Sequence, residues 1–200
     1  MFKSLATVAA LFTAGAEAQS HQQFEPQESA QVAQLHENGI GNNLMNLASC
    51  PSAMDLIKQG EGFRSCVYKD TMGIPTICYG FNLQGKRSQV EATGANYDAV
   101  LSGKQCLNEN VCTKLLQQEY NTASSAAHSI FGNLSCPCAM NVVTDMTYNL
   151  GSGGMRSFTT FNSLVKSGKY SEAAADGRGT AWCRQVGSRC SRNMGILASC

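Results

Sequence analysis

Between Cys66 and Cys78 the side chains alternate in character twice. Cys66, Tyr68 and Asp70 form one set, and Ile74, Thr76 and Cys78 another, about the turn Asp70-Thr71-Met72-Gly73. Period-two alternation on both sides of a glycine-bearing turn predicts a β-hairpin. A turn symmetric about Met72 sets residue 68 opposite 76 and residue 66 opposite 78. Asp70, Thr76, Cys66 and Cys78 then project from one face. Pro75 falls on the other set and, lacking an N–H, implies a strand edge without a partner at that point.

Elsewhere the apolar positions follow a helical period. Pro51 suits the first position of a helix carrying Ala53, Met54 and Ile57, with Gly60 as its stop. Leu116, Tyr120, Ala123, Ala127 and Ile130 are spaced by four, three, four and three residues, which makes one apolar stripe. Pro137 opens another helix, with Ala139, Val142, Val143, Met146 and Leu150, closed by Gly151. Phe158, Phe161, Leu164 and Val165 make a third, closed by Gly168. A small hairpin followed mostly by helices predicts an α+β fold with the sheet as a separate lobe.

Composition changes this picture at the N-terminal side. The first 18 residues carry Lys3, an apolar stretch and then Ala16-Glu17-Ala18, the pattern of an export signal cut after Ala18. Residues 19–47 hold no cysteine and are rich in glutamine (Gln19, Gln22, Gln23, Gln27, Gln31, Gln34), so they are expected to be a polar leader or pro-segment. Residues 48–200 form the expected folded domain, and no run approaches the roughly 18 apolar residues of a membrane span. All 10 cysteines follow the leader, and an even number in an exported chain predicts disulfides. No Cys-x-x-Cys pair occurs, so zinc spacing is missing.

Net charge is +1, unevenly placed. The leader holds Glu25, Glu28 and Glu37 without Lys or Arg, whereas residues 156–200 hold seven bases against Glu172 and Asp176. A mildly basic domain suits an anionic polymer or an ordinary solvated surface, and falls well short of a nucleic-acid footprint.

Elimination narrows the chemistry. Of three histidines, His21 and His36 lie in the leader, and His128 sits mid-helix among Ala and Ser, where a surface role fits better than a Ser–His or Cys–His nucleophile. Gly151-Ser152-Gly153-Gly154 follows a helix instead of opening one after a strand, so it is expected to be a loop and not a phosphate cradle. Carboxylates remain. Cleavage of a glycosidic bond needs one acid to protonate the leaving oxygen and a second group to act across the sugar ring. Glu61, after the helix stop, and Asp70, at the strand end, could share the rim of a cleft. Two solvated carboxylates near turns would have the same spacing.

EGFR…YKDTMGIPTICYGFNL resembles the signature of the phage-type lysozymes, glycoside hydrolase family 24. Eight residues intervene between Glu61 and Asp70, five between Asp70 and Thr76, and Thr76-Ile77-Cys78-Tyr79-Gly80 completes the pattern. The likeness extends through LLQQEYNTA (115–123), DMTYNLG (145–151), FTTFNSL (158–164) and the segment from Gly187 to Arg192, most of 50–195. It implies a two-lobed, lysozyme-like fold, with a cleft between a small β-hairpin lobe and a mainly helical lobe, and cleavage of the β-1,4 bond between N-acetylmuramic acid and N-acetylglucosamine. By position it implies Glu61 as general acid, with Asp70 and Thr76 holding the attacking water, and inversion. Arg189 or Arg192 matches the arginine that pairs with the acid, while Gly80, Tyr148 and Ser163 match substrate-cleft positions. Tyr148 would serve equally well as a core residue.

The chain departs from that pattern in its export signal, its cysteines and a glycosylation sequon at Asn133-Leu134-Ser135. A disulfide between Cys66 and Cys78 is expected from the symmetric hairpin, since cross-strand Cβ atoms lie about 4.5–5.5 Å apart. The expectation is a secreted, extracellular monomer acting on peptidoglycan without a cofactor, metal, nucleic-acid partner or membrane. Two other readings stay open: a chitin-active glycosidase, and a non-catalytic wall-binding or effector protein on the same fold.

Overall fold

Ser52 starts the first helix. Its hydroxyl accepts the Asp55 N–H at 3.2 Å, so Pro51 precedes the cap and the helix, α1, runs Ala53–Glu61. The expected stop at Gly60 moves two residues on. Gly60 is helical, and Gly62 closes the helix at φ +70°, where a residue with a Cβ would be strained. This places Glu61 on the last turn of α1 and not in a loop beyond it. The structure is a computed structural model that describes residues 50–200; the expected export signal and leader lie outside the described residues.

Three antiparallel strands follow, β1 (Arg64–Lys69), β2 (Pro75–Cys78) and β3 (Phe81–Asn82), in the order β1-β2-β3. Near the turn the register is the expected one, with Tyr68 opposite Thr76 and Lys69 opposite Pro75. Farther along, Arg64 and not Cys66 lies opposite Cys78, because β1 bulges between Arg64 and Tyr68. Pro75 is not on an unpartnered edge. It is the first residue of the central strand, the position where a missing N–H is tolerated, and its carbonyl accepts the Leu83 N–H at 2.9 Å.

The rest is helical: α2 (Arg87–Glu91), α3 (Tyr97–Leu101), α4 (Glu109–Phe131), α5 (Pro137–Ser157), α6 (Thr159–Lys166), α7 (Tyr170–Arg178), α8 (Ala181–Val186) and α9 (Ser188–Ala198). The α+β expectation holds. Asn108 caps α4 through the Val111 N–H at 3.0 Å, and the expected stripe is buried at Leu116, Ala123, Ala127 and Ile130. At 23 residues α4 is about 35 Å long. In α5, Gly151 breaks the helix at φ +71°, but a second helical segment continues to Ser157. The expected loop at 151–154 is therefore part of that segment.

Two apolar cores form, one under the sheet and one among the C-terminal helices. Ile77, Phe81, Leu83 and Val90 pack in the first with Cys112, Leu115 and Leu116 of α4. Phe161, Met194 and Trp182 pack in the second with Ala127 and Ile130 of the same helix. On α1 the neighbours Leu56 and Ile57, both fully buried, enter different cores. Each such side chain contributes about 1.5–3 kcal/mol, so α1 and α4 hold the lobes together by serving both.

All ten cysteines pair: Cys50–Cys138, Cys66–Cys106, Cys78–Cys112, Cys136–Cys200 and Cys183–Cys190. The Cys66–Cys78 pairing is therefore corrected. The bulge takes Cys66 out of register with Cys78, and Cys78 is buried at 1% exposure with φ +62° while Cys66 is exposed. Each strand is instead tied to the region where α4 begins. Leu107 N–H donates to the Ser65 carbonyl at 2.7 Å beside the Cys66–Cys106 bridge.

Candidate active site

Glu61 leaves the last turn of α1 with its side chain 20% exposed. Its Oε1 accepts from Arg189 Nη1 at 2.7 Å. Its Oε2 lies against Gly80, where an added Cβ would come within 2.6 Å of it. Gly80, at φ +70°, is therefore constrained twice, by its backbone and by the carboxylate. The Tyr148 hydroxyl on α5 donates to the Tyr79 carbonyl at 2.9 Å, fixing the peptide that leads into Gly80. Tyr79 is held in turn by its own hydroxyl, which donates to Glu109 at 2.6 Å on the first turn of α4.

Arg189, on α9, is 5% exposed. Its Nε and Nη2 donate to the two carboxylate oxygens of Asp145 at 3.0 and 2.7 Å, and Nη1 reaches Glu61. Burial works against the Arg189 charge, but the hydrogen bonds and charge of Asp145, followed by those of Glu61, outweigh it and raise its pKa. Arg192 takes a different position. It donates to the Leu56 carbonyl at 2.9 Å and to Gln59, and burial holds its pKa below the ordinary value. Of the two candidate arginines, Arg189 pairs with Glu61.

Asp70 lies just past β1, at the hairpin turn. Its Oδ1 accepts the N–H groups of Met72 and Ile74, each at 2.8 Å, and so builds the turn. Its Oδ2 makes no hydrogen bond among the described residues. Thr76 is 4% exposed and its hydroxyl donates to the Ile74 carbonyl at 3.0 Å, so that oxygen is left with lone pairs to accept. Tyr68, across the ladder from Thr76, feels both acids. Burial raises its pKa, Arg64 opposes that, and Glu61 and Asp70 add to it. The arrangement presents one carboxyl group anchored on an arginine, and on the hairpin a second carboxyl group with a free oxygen and a hydroxyl that can accept. A proton can be delivered at the first and a water oriented at the second.

A cavity of about 260 Å³ opens between the sheet and helices α4 and α5. Gly80, Asn82 and Tyr148 line it, and so does the ion pair Lys86–Glu119, 2.9 Å long. Burial, then the charges of Glu61 and Glu119, raise the Tyr148 pKa, so it stays a neutral donor. Ser163 is not brought to this wall. It lies exposed on α6, its carbonyl accepting the Ser167 hydroxyl at 2.8 Å. His128 is exposed on α4, with Nδ1 at 2.8 Å from the Ser124 carbonyl. Asn133 is exposed in the loop between α4 and α5, and Ser135 of its sequon shares a hydrogen bond with the Tyr170 hydroxyl at 2.9 Å. Sequence reasoning did not single out Asp145, Gly60 or Tyr68 as parts of the site. Asp145 carried the one available signal, an acid among the apolar positions of a buried helix.

A mainly helical domain with a small sheet, holding a buried arginine against an acid that abuts Gly80 of the cavity wall, is the architecture of a lysozyme. The family model described as phage lysozyme matches residues 58–195, and the chain belongs to that family. It is a lysozyme-type glycoside hydrolase with a polysaccharide substrate. A relative from Dictyostelium discoideum, named "Probable T4-type lysozyme 2", is 23% identical over 159 residues, covering 73% of this chain and 93% of its own.

Proposed function

We propose that this lysozyme is exported and cleaves the β-1,4 bond between N-acetylmuramic acid and N-acetylglucosamine in bacterial peptidoglycan. Glu61 gives its proton to the glycosidic oxygen as the bond to the anomeric carbon breaks. A water held by Asp70 Oδ2 and Thr76 Oγ1 attacks that carbon from the opposite face. Its proton passes to Asp70, and the configuration inverts. Two carboxyl groups and water complete the reaction, so no cofactor is required. The observation that carries this reading is the division of labour in hydrogen bonding. Glu61 is fixed through Arg189, while Asp70 spends one oxygen on its turn and keeps the other free.

Export is supported by the five disulfides, which persist in oxidising compartments. Clearing of a peptidoglycan suspension, run beside a chitin suspension, tests the substrate. Lysis of the wall with little release from chitin is expected. Release from chitin alone makes the chain a different glycosidase, and binding to wall without release makes it a non-catalytic protein. In the same assay Glu61→Gln should lose about 10²–10⁴-fold of the activity.

A further inference from the structure

Asp145 is fully buried on α5, where a carboxylate is strongly disfavoured unless it is compensated. Its compensation comes from α9. Arg189 grips both carboxylate oxygens, Asn193 Nδ2 donates to Oδ2, and Arg192 stands 3.9 Å away. Arg189 thus gives Asp145 two of its nitrogens and Glu61 a single one. The guanidinium packs closely against Gly60 of α1, where a Cβ would lie 2.7 Å from Cζ.

We propose that Asp145 is a positioning residue that also sets how much of the Arg189 charge falls on Glu61. This inference rests on the reading of Glu61 as general acid. With Asp145 in place, Arg189 and Arg192 face two carboxylates, so their positive charge is divided between Asp145 and Glu61. Without the Asp145 charge, both guanidinium groups would favour an ionised Glu61, and an ionised Glu61 has no proton to give. The other groups that face Glu61 do not take over this role. Tyr148 of α5 and Tyr68 of β1 remain neutral, their pKa values raised chiefly by burial. Glu119 of α4 faces Tyr148 and is paired with Lys86, and Asp70, held at the hairpin turn through Oδ1, is the same in the parent and in an Asp145 variant. The Arg64 guanidinium stacks on the Tyr68 ring at 4.4 Å, and Lys58 sits over the Tyr79 ring at 5.2 Å.

The test is the pH dependence of lysis by the full chain carrying Asp145→Asn. The alkaline limb of the rate profile should move to lower pH by about one unit, the size of effect a close charge exerts. Activity at neutral pH should fall about tenfold with little change in KM. Arg192→Gln, which removes one guanidinium from the cluster, should move the limb the other way. The double variant Asp145→Asn with Asn193→Asp should return it toward the parent. An unmoved limb in a folded Asp145→Asn protein, judged by its thermal transition, overturns the proposal. If that variant fails to fold, Arg192→Gln, at a side chain 24% exposed, decides alone: a limb at higher pH supports the proposal, and an unmoved one overturns it. Failure of the underlying reading looks different, since Glu61→Gln would then lyse wall as the parent does.

Discussion

Glu61 Oε2 occupies the space that a side chain at Gly80 would need: an added Cβ would stand 2.6 Å from it. The acid is therefore confined between Arg189 on one side and a bare backbone on the other. Gly80→Ala should push the carboxylate off Arg189 and force alanine into φ +70°. The backbone penalty is about 1–2 kcal/mol, whereas displacement of the acid should cost about 10²-fold in turnover. Lysis rate set beside thermal stability separates the two, because activity should fall much further than the modest loss of stability accounts for.

Asp70→Asn should separate turn from chemistry. The asparagine carbonyl oxygen can take the Met72 and Ile74 N–H groups as Oδ1 does, so the hairpin survives. The amide placed where Oδ2 was cannot accept a proton from water. Activity should fall by about 10²-fold or more with an unchanged thermal transition, while Asp70→Ala should lose turn and activity together. Thr76→Ala should give a smaller loss of rate.

The bridge Cys78–Cys112 closes a segment with a sequence separation of 34 residues. Replacing both cysteines by serine should reduce stability by about 2–5 kcal/mol, read from denaturant midpoints. Because this bridge ties β2 to α4, wall lysis should become temperature-sensitive in the variant. A midpoint equal to that of the parent would show that the bridge adds nothing.

Tyr79 gives a test at alkaline pH. Burial, with the hydrogen bond to Glu109, pushes its hydroxyl from the ordinary value of 10.0 up to about 12. A folded value above the unfolded one means that the contribution is complete below pH 10 and is lost as pH rises toward about 12. Urea midpoints measured across that window should fall, and Tyr79→Phe should show a shallower fall.

The parts legible in the sequence were those governed by neighbours along the chain. The turn at Asp70–Gly73, the facing of Tyr68 and Thr76, and the stripe on α4 follow from local alternation and periodicity. Gly60 and Gly62 look alike as helix stops; Gly62 takes the positive φ, while Gly60 is required for the approach of an arginine 129 residues away in sequence. The Cys66–Cys78 expectation failed for a similar reason. The bulge in β1 and the bond from Cys66 to Cys106 depend on where α4 lies, which no alternation reports. The choice of Arg189 over Arg192 was set by which helical turn faces Asp145, and that appears only once α5 and α9 are packed.

Cys136 and Cys138 stand on either side of Pro137 and hold Cys200 and Cys50, each with a Cα separation of 5.8 Å. Two residues span at most about 7 Å, so Cys50 and Cys200 come within about 19 Å of each other at one pole of the helical lobe. The Asn141 side chain strengthens the entry by donating to the Pro51 carbonyl at 3.1 Å. The domain is thus nearly a closed ring in its connectivity. A short linker joining position 200 to position 50, with new termini opened at the exposed residues Gly132 and Asn133 between α4 and α5, would preserve every helix, every bridge and the Asp70 turn in a circularly permuted enzyme.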